Sequence, residues 1–100
     1  MTEHIYSQEE LASAIIPLLH RYRAERAILF GSYARREATD SSDVDLLVIG
    51  GSQFDPTDVF CIADDLYRSL GKNVDVYELS EINEDSDLYR TIFTEGVQIA

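Results

Sequence analysis

One hundred residues and 11.3 kDa leave room for one modest core, since a chain of this size buries between about 60% and 70% of its unfolded surface. Eight Lys and Arg against nineteen Asp and Glu give a net charge of −11, a field that repels phosphate backbones and sets direct nucleic-acid binding at a disadvantage. An apolar content of 45% excludes a disordered chain, the one cysteine, Cys61, excludes a disulfide framework or a Cys-rich zinc site, and no apolar run approaches the roughly 20 residues of a membrane span.

The first residues, Met-Thr-Glu-His-Ile, lack the basic and apolar regions of a signal peptide, so a cytoplasmic location is expected. There is no repeat, linker or low-complexity tract, and residues 1–100 are expected to form a single α/β domain. Charge is unevenly spread. Residues 1–36 hold five Arg and four Glu, whereas residues 37–100 hold three basic and fifteen acidic side chains.

In chain order, Ser7-Gln8-Glu9-Glu10 has capping-box spacing, and Leu11, Ala14, Ile15, Leu18, Leu19 and Tyr22 follow at helical intervals. Pro17 falls inside that pattern and removes a bond to the Ser13 carbonyl, which predicts a kink or two short helices. Residues 27–30 read as a short buried strand ending at Gly31, and residues 44–49 as a second strand closed by Gly50-Gly51. Asp55-Pro56 reads as the start of a helix over 56–70, with Asp55 as N-cap, an apolar stripe of Val59, Ile62, Ala63, Leu66 and Leu70, and Gly71 as its stop. Residues 74–79 alternate as a third strand. Residues 86–95 are helical up to Gly96, and residues 97–99 offer a last edge strand. A helix between the second and third strands predicts a right-handed parallel crossover. The ten or so residues between the first two strands are too few for one. A small mixed sheet of three to four strands, flanked by helices, follows.

The chemistry gathers between residues 31 and 45. The first strand ends in Gly31-Ser32 and the second opens with Asp43-Val44-Asp45. The period of two puts both carboxylates on one face, with Cα atoms roughly 7 Å apart. Two such carboxylates repel, and a hard divalent cation, Mg²⁺ or Mn²⁺, resolves the conflict. Gly31-Ser32 permits close backbone approach and offers a hydroxyl and amides to phosphate oxygens. If the third strand neighbours the second, Asp75 joins Asp43 and Asp45 at one metal site, an arrangement suited to in-line displacement at phosphorus. Taken alone, the Asp pair is an ordinary polar strand entrance and Asp75 a solvent-facing strand residue; the spacing from Gly31-Ser32 gives them meaning.

The segment GSYARREATDSSDVDLLV closely resembles the signature of the polymerase-beta-like nucleotidyltransferases, G-S-x10-D-x-D, and in particular that of the prokaryotic minimal nucleotidyltransferases, which often read GSxARG…SDxDLLV. The resemblance covers most of the chain and implies the nucleotidyltransferase fold. It also implies that Gly31 and Ser32 hold the triphosphate of ATP, that Asp43 and Asp45 bind Mg²⁺ (two ions, with Mn²⁺ an alternative), and that Asp75 is the third carboxylate, acting on the acceptor's nucleophile. Arg35 is either a phosphate contact or a surface charge. Arg36 stands where the subgroup commonly has Gly; it is either strained at a positive φ or an added cation near the triphosphate. Glu37 follows the family pattern without an assignable role.

Bland readings suffice elsewhere. Asp64 and Asp65 lie beside the helix stripe as a solvated face, and Cys61 reads as a small packing residue. His4 and His20 are too scattered for a metal site, and Tyr33 is expected at the site's mouth.

The resemblance implies an Mg²⁺-dependent adenylyltransferase moving AMP from ATP to a hydroxyl. Larger relatives bind their acceptors with additional domains, so here the acceptor surface is expected on another chain. Subgroup members are typically paired with an all-helical HEPN toxin, a ribonuclease that some of them neutralise by adenylylating a tyrosine. An antitoxin partnered with such a toxin is therefore expected, without direct nucleic-acid or membrane contact. A non-catalytic antitoxin that masks its partner, and an aminoglycoside-type small-molecule nucleotidyltransferase, are the alternatives.

Overall fold

The computed structural model describes residues 4–100. In chain order it runs α1 (Gln8–Tyr22), β1 (Arg26–Phe30), a 3-10 turn (Gly31–Tyr33), β2 (Val44–Ile49), α2 (Asp58–Leu70), β3 (Val74–Glu78), a second 3-10 turn (Leu79–Glu81), α3 (Asp87–Glu95) and β4 (Val97–Gln98). The strands form one mixed sheet in the order β3-β2-β1-β4. The β1–β2 and β1–β4 pairs are antiparallel, while β2 and β3, joined through α2, are parallel.

The start of α1 is the expected capping box: Ser7 Oγ accepts from the Glu10 amide at 3.0 Å and Glu10 Oε1 from the Ser7 amide at 2.9 Å. Pro17 does not divide the helix, which is continuous over fifteen residues. Pro17 and Ser13 both lie on its exposed side, where water can satisfy the orphaned carbonyl, and buried Leu11, Ile15, Leu18 and Leu19 anchor the turns on either side.

The second helix begins later than the sequence suggests. Asp55 Oδ1 accepts from the Thr57 amide at 3.0 Å and the Thr57 hydroxyl at 2.8 Å, making an Asx turn. The amides of Asp58, Val59 and Phe60 then reach back three residues, so regular α-helix starts only at Asp58.

Alternation along the strands sorts side chains to two faces. Ala27, Leu29, Val44, Leu46, Val48 and Val74 face the larger core under α1 and α2, with Leu11, Ile15, Ile62 and Leu66. Phe30 and Leu47 face the other side, covered by Ile92 of the short α3 and flanked by half-buried Ile28, Ile49 and Tyr77. Asp45 shares this second, thinly covered face.

Glu78 closes the far end of the β2–β3 pair. Although only 7% exposed, its carboxylate accepts from the Ser80 amide at 3.0 Å, the Ser80 hydroxyl and the Gly50 amide at 3.3 Å. Burial pushes its pKa up. The bonds from Ser80, Gly50 and Leu79 outweigh that and hold it below the ordinary value. The folded state therefore favours the ionised form, so this contribution is fully present above the ordinary glutamate range and is lost as pH falls through it. Glu78→Gln is expected to lower stability at pH 7 by about 1–3 kcal/mol, and thermal melts should show the gap from wild type closing below about pH 4. A gap unchanged from pH 7 to pH 3 would contradict this assignment.

Candidate active site

The central strand positions the site. In β2, Asp45 pairs with Phe30 of β1 on one side and with Asp75 of β3 on the other. A parallel register with these two aspartates directly opposite sets their side chains on the same face in neighbouring strands. Asp43, two residues before Asp45, precedes the strand and is exposed; Asp75 is also exposed, and Asp45 is half-buried. The structure thus sets the backbones of all three aspartates at one end of the β2–β3 pair, with Asp45 and Asp75 directly opposite.

Gly31 is the floor beneath Asp45. Its φ is +72°, and a Cβ placed there would lie 2.3 Å from Asp45 Oδ2. Only a residue without a side chain fits this conformation and this approach. From Gly31 the chain makes a tight turn in which the Ala34 and Arg35 amides donate to the Gly31 carbonyl at 3.1 and 3.2 Å, and the Glu37 amide donates to the Ser32 carbonyl at 2.9 Å. This holds half-exposed Ser32 beside the strand end.

Arg35 lies between two carboxylates. Its Nε donates to Glu37 at 3.2 Å, and its Nη1 lies 3.5 Å from Glu95 of α3. Glu37 thereby gains a partner that its sequence position did not suggest, and Glu95 reaches the site with no local motif to announce it. Arg36 adopts φ +59°, the left-handed region that glycine accepts at lower cost. Its guanidinium donates to Gln8 Oε1 at 3.3 Å. The loop has the glycine-type backbone while carrying an arginine that reaches α1. Tyr33 is not at the mouth. It is 3% exposed and, with the neighbouring Ala34, packs into the larger core.

Electrostatics identify the strained member of the trio. Burial raises the pKa of Asp45, the charges of Asp75 and then Asp43 raise it further, and Arg35 alone opposes them. The Tyr77 phenol is raised by burial, then by Asp75 and Asp45, placing it in the same field. Its ring lies 5.9 Å from that of Phe30 and helps form the apolar backing of the site. Among the described residues no three His, Cys, Asp or Glu side chains are already gathered as a metal cluster. The donor set nonetheless fits a hard divalent cation, because carboxylates held together against their mutual repulsion are what such an ion relieves.

The remaining expectations divide. Asp64 is solvated and pairs with Arg68 at 3.1 Å, but half-buried Asp65 accepts from the Tyr22 hydroxyl at 2.7 Å and so links α2 to α1. Cys61 is exposed rather than packed, because it falls one residue outside the stripe of Val59, Ile62, Leu66 and Leu70. Burial and then Asp58 push its thiol pKa up, the reverse of what a nucleophile requires. His4 faces Glu10 at 3.2 Å.

The mixed sheet carries a glycine-serine turn at the end of β1, with Asp43 just before β2, Asp45 within it and Asp75 opposite on β3. Residues 13–100 match the family described as polymerase beta, nucleotidyltransferase, and the chain belongs to that family and is a nucleotidyltransferase. It is 39% identical over 74 residues, covering 74% of this chain and 80% of the other, to a Methanocaldococcus jannaschii protein named "Putative protein adenylyltransferase". Among solved structures it resembles a toxin–antitoxin crystallised with AMP-PNP, with a TM-score of 0.77, 26% identity and coverage of 89% of this chain and 72% of that one. A tri-AMPylated Shewanella oneidensis HEPN toxin in complex with MNT antitoxin gives a TM-score of 0.71 at 25% identity, covering 93% of this chain and 71% of that one.

Gly31→Ala combines an unfavourable backbone conformation, about 1–2 kcal/mol, with displacement of the Asp45 carboxylate. It is expected to lower both the melting temperature and nucleotidyl transfer, the latter by about 100-fold. Transfer at the wild-type rate would show that Asp45 does not depend on this approach.

Proposed function

We propose that this chain transfers AMP from ATP to a hydroxyl on a partner protein, with Mg²⁺, and so acts as the antitoxin of a HEPN-type toxin whose acceptor is a tyrosine. The observation that carries the reading is the register of β2: Asp45 faces Asp75 directly, Asp43 lies two residues upstream, and Gly31 lies against the Asp45 carboxylate. The adenylyltransferase name of the archaeal relative and the toxin–antitoxin neighbours support the substrate and partner. The acid excess after residue 36 suits a basic surface on that partner.

Asp43 and Asp45, with Asp75, would hold the divalent ions. When bound, these ions supply charge neutralisation at the triphosphate and lower the pKa of the acceptor oxygen. The chain's own residues then do three things. Gly31 and Ser32 receive the triphosphate, the glycine by allowing close approach and the serine through its hydroxyl and amide. Arg35 offers a cation beside Asp45, at the cost of loosening its pairs with Glu37 and Glu95. Asp75 takes the proton of the acceptor hydroxyl. The acceptor oxygen forms a bond to the α-phosphorus as the bond from that phosphorus to the bridging oxygen breaks, and pyrophosphate leaves with the electron pair. Asp75, exposed on the outer strand of the pair, is placed to meet an acceptor arriving from solvent.

Co-expression with a HEPN partner followed by intact-mass measurement is expected to show AMP-sized increments on the partner. Asp43→Ala and Asp75→Asn should each reduce them by at least about 1,000-fold, the scale of losing a group that acts on the transition state. Asp43→Ala should also fail to protect cells from the toxin. Full protection by that variant would show that neutralisation rests on binding rather than transfer.

A further inference from the structure

Lys72 is the least expected charge in the molecule. It lies in the turn between α2 and β3, is 6% exposed, and has no ion pair with a carboxylate among the described residues. Lysines ordinarily extend their ammonium groups to water, and a buried one is tolerated only where it is bonded. Here the bond goes to main chain: Nζ donates to the Asp40 carbonyl at 2.6 Å. Asp40 belongs to the Thr39–Ser42 turn that delivers Asp43. That turn is closed on itself by the Thr39 amide to Ser42 Oγ at 2.8 Å and the Ser42 amide to the Thr39 carbonyl at 3.1 Å. The turn and the residues before β3 meet at a seam that borders a cleft of about 290 Å³, lined by Asp40, Ser41, Asp43, Tyr67 and Lys72. Two bonds cross that seam, one on each side of Asp43: Lys72 to the Asp40 carbonyl, and the Val44 amide to the Asn73 carbonyl at 3.0 Å.

We propose that Lys72 is a positioning residue, tethering the Asp43-bearing turn to the start of β3 so that Asp43 is held at a fixed distance from Asp45 and Asp75. The inference rests on the assignment of Asp43 to metal–nucleotide binding. Stability and positioning respond differently here: losing one bond to a part-buried carbonyl lowers stability only modestly, whereas loss of an outer support of a metal ligand typically costs 10–100-fold in affinity.

The test uses the full chain with Mg²⁺ and AMP-PNP as probe, titrated calorimetrically, together with thermal melts and amide exchange. Lys72→Met is expected to weaken Mg²⁺-dependent AMP-PNP binding by at least 10-fold, to speed exchange selectively at residues 40–44, and to lower the melting temperature by no more than about 8 °C. Lys72→Arg, which keeps a donor, is expected to recover most of the affinity. Binding of Lys72→Met within twofold of wild type, or exchange accelerated equally throughout the sheet, would overturn the tether. Asp43→Asn separates the two readings. If it weakens binding while Lys72→Met does not, the tether alone fails; if Asp43→Asn binds as wild type does, the assignment of Asp43 fails and the tether with it.

Discussion

The site depends on one constraint: β2 is paired on both sides, and its register allows Asp45 a single position. With Phe30 opposite on one edge and Asp75 on the other, a slip of one residue would send Asp45 into the core under α1 and α2 and bring Val44 and Leu46 out. The leucines and valines of β2 thus select the register by being buried, and the carboxylate is carried to its place by residues that have no part in the chemistry. The cost of holding Asp45 half-buried near two acidic neighbours is met by this packing. Asp45 feels burial before it feels its neighbours, and the strand that buries it is anchored at its far end through Glu78 and Gly50.

The elements that sequence alone made legible are those set by local chemistry. The capping box at Ser7, the strand at 44–49 and the helix ending at Glu95 appear where their residues indicated. The spacing of Gly31-Ser32 from Asp43 and Asp45 marked where the glycine turn meets the acidic strand end, because such a turn and such an alternation leave a linear trace. The parallel pairing of β2 with β3 also followed, from the helix between them.

What was hidden depends on long-range contact. Pro17 looked disruptive because its cost is local, while the four buried residues that hold its helix together act through the core. Cys61 looked packed because cysteine usually is, whereas the phase of the stripe in α2 leaves it outside. Tyr33 packs inward, a direction no periodicity of the segment revealed. Glu95 and Lys72 carry no motif at all. One reaches Arg35 from sixty residues away in sequence, and the other reaches a carbonyl thirty-two residues back. Arg36 lies between the two classes: its positive φ was one of two alternatives that the family pattern raised, and the backbone adopts it.

The thin covering of the second sheet face has a colloidal consequence. Nine residues of α3 shield Phe30 and Leu47 but leave Leu88 and Phe93 on the outside at 38% and 47% exposure. At neutral pH, eleven net negative charges keep such faces on separate copies apart. Near the isoelectric point of about 4.3 that repulsion vanishes while the greasy surface remains. Mild acid is thus the condition in which copies of the chain adhere to one another, and a binding partner that covered this face would remove that tendency without altering the charge of the rest.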